Sequence, residues 1–176
     1  MADSQEKVLE GLKYAIQMEI DGKEHYLKAS RESSNELGKK LLQSLADAED
    51  SHRRKFEQIY DSMRTRKSWP AVDFQPDGGR EQRTIFARAT EQMDTGTKPL
   101  STELDAVQLA MEMENKSLDY YISQSEKAAD NDEKEFYQML AAEEREHHII
   151  LVDYYEYLKD PAGWFVRQEH PSLDGG

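Results

Sequence analysis

Apolar residues in this chain recur at alternating steps of three and four along four long segments. A stripe with this spacing lines one face of an α-helix and forms the seam along which the helices of a bundle pack. The pattern therefore predicts an all-α protein with four long amphipathic helices. The predicted helices cover residues 4–32, 35–64, 101–128 and 130–159.

Polar residues interrupt each of the four seams at one place. The second and fourth helices each carry a Glu-x-x-His motif there, and the first and third helices each carry a single glutamate. A carboxylate in a core position is costly unless it has a partner or a cation. These positions are therefore the candidate functional residues. They are Glu19, Glu49, His52, Glu114, Glu144 and His147.

The six positions are related by an internal repeat of 95 residues. Residues 15–62 align with 110–157 without a gap, and twelve positions are identical. Each helix pair turns midway between its two glutamates, near residues 34 and 129. Residues equidistant from the turn of an antiparallel hairpin lie at the same height. We therefore expect Glu19 to face Glu49, and Glu114 to face Glu144, in a single layer deep in the bundle.

A long connection, residues 65–100, joins the two helix pairs. It contains three prolines and the pair Gly78-Gly79, so no single helix spans it. Residues 80–93 are predicted to form a short helix in which Ile85 and Phe86 pack on the bundle. A connection this long lets the chain return along the bundle, so the second and third long helices run parallel. We expect one domain over residues 1–176, with a tail at 160–176 in which Trp164 and Phe165 cover an end of the bundle or a partner subunit.

Composition restricts the chemistry available to this fold. The chain has no cysteine, which excludes disulfides, thiolate zinc sites and iron–sulfur clusters. Its net charge of −13 argues against a nucleic-acid partner. No run of 18 apolar residues exists, so no membrane association is expected. The N-terminal residues lack an apolar signal core, and a cytoplasmic location is the expectation.

The six seam residues together offer ligands for two metal ions. Residues i and i+3 share a helix face, so each Glu-x-x-His motif presents an oxygen and a nitrogen to one ion. Four carboxylates balance two divalent cations, and the ligand types suit iron or manganese, with zinc also possible. We expect Glu49 and Glu144 to bridge the ions and Glu19 and Glu114 to bind one ion each. His148 also follows Glu144 at helical spacing, but the repeat and the seam favour its neighbour.

Two further expectations concern residues around the candidate ligands. Tyr26 and Tyr121 lie two helical turns beyond Glu19 and Glu114, and each is expected either to hydrogen-bond a ligand carboxylate or to pack in the core. Carboxylates that lie off the seam near the Glu-x-x-His motif of the fourth helix are expected to be solvated. These are Glu143 and Glu146.

The order of these motifs resembles the ferritin-like dimetal carboxylate superfamily, in its rubrerythrin and bacterioferritin branch. The segments AIQMEIDGKEHY and AMEMENKSLDYY are similar to the family's first and third helices, and LADAEDSH and LAAEEREH to its second and fourth. The tail is similar to that of stand-alone rubrerythrin-like proteins. The resemblance implies a ferritin-like four-helix bundle with a long crossover. It also implies a diiron or dimanganese oxidoreductase that reduces hydrogen peroxide or dioxygen.

The sequence departs from the relatives it resembles. Rubrerythrin carries a cysteine-rich rubredoxin module, which this chain lacks, so an external electron donor is expected. Rubrerythrin also has an extra glutamate where this chain has Ser117, so the ligand set is the symmetric one of bacterioferritin. The tail does not resemble that of bacterioferritin, so no haem is expected, and a homodimer is the expected assembly. Two alternatives stay open: an iron-storage or ferroxidase protein, and a metal-stabilised bundle without turnover.

Overall fold

The computed structural model describes residues 2–66, 68–90 and 99–164. No strand occurs in these ranges, and four long helices with one short helix account for most of them. The predicted all-α bundle is thereby confirmed, and the ends of the four long helices lie within one turn of those expected from the sequence. Residues 91–93 of the predicted short helix lie outside the described residues. The helices are α1 (Ala2–Glu32), α2 (Glu36–Arg66), α3 (Arg80–Thr90), α4 (Ser101–Lys127) and α5 (Asn131–Lys159).

The long helices form two antiparallel hairpins, α1 with α2 and α4 with α5. Contacts between the hairpins show how they are joined. Tyr26 of α1 bonds to Glu114 of α4, and Tyr121 of α4 bonds to Glu19 of α1. A later residue of each helix thus meets an earlier residue of the other, so α1 and α4 are antiparallel. It follows that α2 and α4 run parallel, and the connection between them is the expected crossover.

The start of α2 is capped differently from what the sequence suggests. The pattern Ser33-x-x-Glu36 predicts a capping box with Ser33 as the first member. In the structure, Asn35 is the N-cap, because its Oδ1 accepts the backbone N–H of Gly38 at 2.7 Å. The capping-box prediction is therefore wrong.

Glu103, near the start of α4, explains the displaced cap. Its carboxylate accepts hydrogen bonds from the Ser33 hydroxyl at 3.1 Å and from the Ser34 backbone N–H at 2.6 Å. It also accepts the backbone N–H of Leu100 at 3.0 Å. One buried carboxylate thus fastens the α1–α2 turn to the first turn of α4 and fixes the two hairpins relative to each other.

The buried apolar residues form two clusters, one on each side of the polar layer along the bundle axis. The leucine cluster lies towards the α1–α2 turn, and the aromatic cluster lies towards the opposite end. The main members of the leucine cluster are Tyr26, Leu37, Leu41, Leu42, Leu45, Ile150, Leu151 and Tyr154. Those of the aromatic cluster are Leu12, Phe56, Ile59, Tyr121, Phe136, Tyr137 and Leu140. Burial of each such side chain stabilises the fold by about 1.5–3 kcal/mol.

The crossover is fastened to α5 by its two glycines. The backbone N–H of Gly78 donates to Glu143 at 2.7 Å. Gly79 approaches α5 so closely that an added Cβ would lie 3.1 Å from side-chain atoms of Glu146 and Ile150. Glu143 is buried, so the expectation that it is solvated is wrong. Its carboxylate accepts the hydrogen bond that attaches the crossover to α5. Glu146 instead forms an ion pair with Arg83 of α3.

The short helix α3 and the start of the tail close one end of the bundle. Phe86 of α3 is buried, and its ring packs edge-on against Tyr157 at 6.2 Å and Trp164 at 5.2 Å. Trp164 therefore covers an end of the bundle, one of its two expected positions. Phe165 lies outside the described residues. None of the described helices is both long and apolar enough to cross a membrane.

Candidate metal centre

The six seam residues meet in one buried layer between the leucine and aromatic clusters. Each of the four long helices contributes to the layer, and α2 and α5 contribute both members of their motifs. The side chains are almost completely removed from solvent. Their exposed fractions are 1% for Glu19, 4% for Glu49, 2% for His52, 3% for Glu114, and 0% for Glu144 and His147.

The layer divides into two sets of four residues, within each of which the ligand atoms lie within 4.8 Å of one another. One set is Glu19, Glu49, His52 and Glu144, and the other is Glu49, Glu114, Glu144 and His147. The sets share two glutamates, one from each Glu-x-x-His motif. Glu49 and Glu144 therefore occupy positions from which a carboxylate can reach both sets.

The histidines connect the two hairpins. His52 of α2 places its Nδ1 3.4 Å from an oxygen of Glu144 on α5. His147 of α5 places its Nδ1 3.5 Å from an oxygen of Glu49 on α2. The two imidazole rings are stacked, with centroids 5.9 Å apart and an interplanar angle of 18°. Each motif thus reaches the carboxylate of the other, so neither hairpin alone can form the layer.

Two tyrosines hold the remaining glutamates across the α1–α4 contact. Tyr26 donates its phenolic proton to Glu114 Oε1, and Tyr121 donates to Glu19 Oε1. Both tyrosines are buried. The sequence leaves open whether these side chains bond a carboxylate or only pack. The structure shows the bond, and each tyrosine reaches the glutamate of the opposite hairpin, a pairing that sequence spacing does not reveal.

Several polar atoms of the layer have no hydrogen-bond partner among the described residues. They are Glu19 Oε2, Glu49 Oε1, Glu114 Oε2, both oxygens of Glu144, His52 Nδ1, and both ring nitrogens of His147. Buried polar atoms without partners are rare in stable proteins because each one costs free energy. A divalent cation in each set would take up these oxygens and one ring nitrogen of each histidine. The residues present therefore fit a dimetal centre.

Burial and the close packing of these ionisable side chains shift several of their pKa values. Burial raises the pKa of Glu114 to about 7, and the nearby charge of Glu144 adds to the rise. Burial, with its carboxylate neighbours, also raises the pKa of Glu19. Burial alone would lower the pKa values of His52 and His147, but the surrounding carboxylates raise both. The layer therefore retains protons that a bound cation would displace.

The other histidines, and Ser117 beside Glu114, lie outside the two sets or outside the described residues. His148 faces α4, where its Nδ1 lies 3.2 Å from the carbonyl oxygen of Met111. Ser117 belongs to neither set. His25 is half-buried, with its Nε2 2.8 Å from the carbonyl oxygen of Ala106. His170 lies outside the described residues.

Gly22 contributes to the layer by having no side chain. A Cβ at this position would lie 2.8 Å from Glu49 Oε2, which is too close for a real contact. The sequence places Gly22 on the seam of α1, one turn after Glu19, where a large apolar residue would otherwise be expected. A glycine at a seam position of α1 was therefore the feature of the sequence that could have indicated a carboxylate packed against the backbone of this helix.

Comparison with protein families connects this geometry to known proteins. The family model described as rubrerythrin matches residues 10–155, a range that contains all six residues of the layer. Comparison with curated proteins and with solved structures gave no significant match. The family match covers most of the chain, and the bundle and its buried glutamate–histidine layer agree with it. The chain therefore belongs to the rubrerythrin family of ferritin-like proteins.

Proposed function

We propose that this chain is a non-haem dimetal oxidoreductase that reduces hydrogen peroxide or dioxygen, with iron as the first choice of metal. The observation that carries the proposal is the buried layer of six potential ligands with unpartnered oxygen and nitrogen atoms. Manganese and zinc remain alternatives because the ligand types suit all three metals. The homodimer, the cytoplasmic location and the single domain also stay predictions.

The proposal assigns a role to each residue of the layer. Glu19 and His52 would hold one ion, and Glu114 and His147 would hold the other. Glu49 and Glu144 would contribute to both, because these two residues occur in both sets. Two ferrous ions, when bound, supply the two electrons that convert one peroxide molecule and two protons into two water molecules.

The protein's own contribution is to position the ligands and to restrict water. Tyr26 and Tyr121 orient the carboxylates of Glu114 and Glu19 through hydrogen bonds, which fixes the direction of the oxygens left for metal. The leucine and aromatic clusters close the bundle along its axis on both sides of the layer. Because the chain has no cysteine for a rubredoxin-type iron, the electrons that restore the ferrous state come from a separate donor.

The first experiment measures metal content and turnover. Protein isolated without added metal should contain two ions per chain, and the ferrous form should consume peroxide continuously when a reductant is present. One stoichiometric round of oxidation followed by iron retention would support storage or ferroxidase function instead. A protein that binds metal and gains thermal stability but never reacts would be a metal-stabilised bundle.

The two adjacent histidines of α5 provide a matched pair of variants. His147→Ala removes a proposed ligand and should reduce the bound metal and abolish turnover. His148→Ala removes a neighbouring imidazole that lies outside both sets, and it should leave metal content and turnover close to wild type. Equal loss in both variants, or full metal content in His147→Ala, would contradict the proposed centre.

A further inference from the structure

A pocket of about 260 Å³ lies beside the centre, between α2, the crossover and α3. His52 forms part of its wall. We propose that this pocket is the loading route through which divalent cations, ferrous iron first, reach the dimetal centre. The inference rests on the proposed function, since it assumes that the layer takes up metal.

The charge of the pocket favours a cation. Four carboxylates line it: Asp47 of α2, Asp77 of the crossover, Glu81 of α3 and Glu143 of α5. No lysine or arginine is among its described lining residues. A recess lined by one sign of charge concentrates ions of the opposite sign and can raise association rates by about 10- to 1,000-fold. The negative charge of this recess thus attracts cations to the side of the bundle where His52 lies.

A second observation is independent of these carboxylates. Gln82 of α3 also lines the pocket, although only 4% of the residue is exposed. Its side-chain Oε1 has no hydrogen-bond partner among the described residues. An amide oxygen is a ligand that hard divalent cations accept readily. Beside its carboxylates, the pocket wall thus includes an amide whose oxygen carries the cost of burial without a partner among the described residues.

His52 connects the pocket to the centre. On one side, its ring packs against Phe74 of the pocket wall, with ring centroids 5.7 Å apart. On the other side, its Nδ1 lies 3.4 Å from oxygens of both Glu19 and Glu144. One imidazole thus separates the acidic recess from the buried carboxylates. A cation that reaches the recess is one side chain away from its first ligands.

A second pocket on the bundle gives a useful contrast. It has a volume of about 450 Å³ and lies between α4 and α5. Its charged lining residues are Glu126, Lys134 and Arg145, so positive charge outweighs negative. Size alone therefore does not distinguish the proposed route, and the distinguishing features are its acidity and its contact with His52.

The test measures the rate of metal uptake, not activity. Metal-free protein is mixed with Co²⁺ in a stopped-flow instrument, and the absorption of the bound ion is followed at low and high salt. The pocket variant combines Asp47→Asn with Glu81→Gln, two exposed positions that leave the bond between Gly78 and Glu143 intact. The control combines Glu112→Gln with Glu126→Gln on α4, which changes the net charge by the same amount.

The proposal predicts that the pocket variant takes up Co²⁺ about ten-fold more slowly than the control at low salt. Both proteins should reach the same final number of ions per chain, and the difference in rate should shrink as salt screens the carboxylates. Rates within two-fold of each other at low salt would overturn the loading route while leaving the dimetal centre intact. A wild-type protein that takes up no metal would overturn both proposals.

Discussion

The hydroxyl of Tyr121 on α4 donates a hydrogen bond to Glu19 on α1, so one hairpin orients a carboxylate of the other. Tyr26 makes the equivalent bond to Glu114 in the opposite direction. The two bonds follow from the antiparallel contact of α1 and α4, which brings each tyrosine within reach of the glutamate on the opposite helix. They provide the first prediction.

Tyr121→Phe should weaken metal binding while leaving the bundle folded. The phenyl ring still packs in the aromatic cluster, but Glu19 loses the hydrogen bond that orients it. Loss of such a partner typically costs about 10- to 100-fold in metal affinity. Competition with a chelator for Zn²⁺ gives the affinity directly. Tyr120→Phe is the control, because its hydroxyl bonds to the carbonyl oxygen of Gly11 instead and its loss should leave the affinity unchanged.

Gly22→Ala should weaken metal binding without a matching loss in the stability of the fold. Alanine favours the interior of a helix over glycine by about 1 kcal/mol, which alone would stabilise α1. The added Cβ would, however, lie 2.8 Å from Glu49 Oε2 and must displace that carboxylate. We expect weaker metal binding without a matching loss in the thermal stability of the metal-free protein. Unchanged chelator competition would show that Glu49 does not need this space.

The glycine pair of the crossover gives a third prediction. Gly78 and Gly79 both have left-handed backbone angles, with φ of 66° and 70°. Alanine at either position should cost about 1–2 kcal/mol from backbone strain. At Gly78 the new Cβ would meet nothing within 4 Å, whereas at Gly79 it would press on Glu146 and Ile150. Chemical denaturation should therefore show Gly79→Ala to be the more destabilised variant, and equal losses would contradict the close approach to α5.

Glu103→Gln should destabilise the protein in a pH-dependent way. Burial would raise the pKa of Glu103, but the hydrogen bonds from Ser34 and Leu100 outweigh it and lower that pKa. A carboxyl whose pKa is lower in the folded state stabilises the fold above its unfolded pKa of about 4.3, and this contribution is lost as pH falls below that value. At pH 7 the substitution should cost about 1–3 kcal/mol, since an amide group replaces an acceptor that satisfies several donors.

The pH profile of that loss is the informative measurement. The difference in unfolding free energy between wild type and Glu103→Gln should be constant near neutral pH. It should shrink below about pH 4.3, where the carboxyl of the unfolded chain takes up a proton, and disappear once pH falls below the lower pKa of the folded carboxyl. Glu112→Gln, an exposed substitution on the same helix, should show no comparable difference at any pH. A loss that is independent of pH would mean that the charge of Glu103 does not hold the turn.

Sequence periodicity predicted the bundle and the six clustered residues because both depend on a regular rule. Helical spacing determines which residues share a face, and the hairpin turns determine which residues share a height. The repeat also selected the histidine of α5 that joins the layer, His147, over its neighbour His148. Local rules and the antiparallel register were sufficient for this part of the structure.

Contacts made by the irregular segments were not predictable in this way. Glu143 looks like a solvated residue on an exposed helix face until the crossover lies across it. Ser33 looks like a helix cap until Glu103, 70 residues later, accepts its hydroxyl. The acidic pocket likewise combines residues from α2, the crossover, α3 and α5, whose meeting depends on where the crossover lies. No periodic pattern encodes such long-range contacts.

The 95-residue repeat joins two similar hairpins in one polypeptide, and this covalent connection has a consequence for how the centre can vary. In a symmetric pair of separate hairpins, every substitution would appear twice. Here a substitution changes one half alone. Tyr121 accordingly lies among aromatic rings while Tyr26 lies among leucines, and Phe74 of the crossover packs against His52. The two sets of candidate ligands can therefore share a pattern of residue types and still differ in the side chains that surround them.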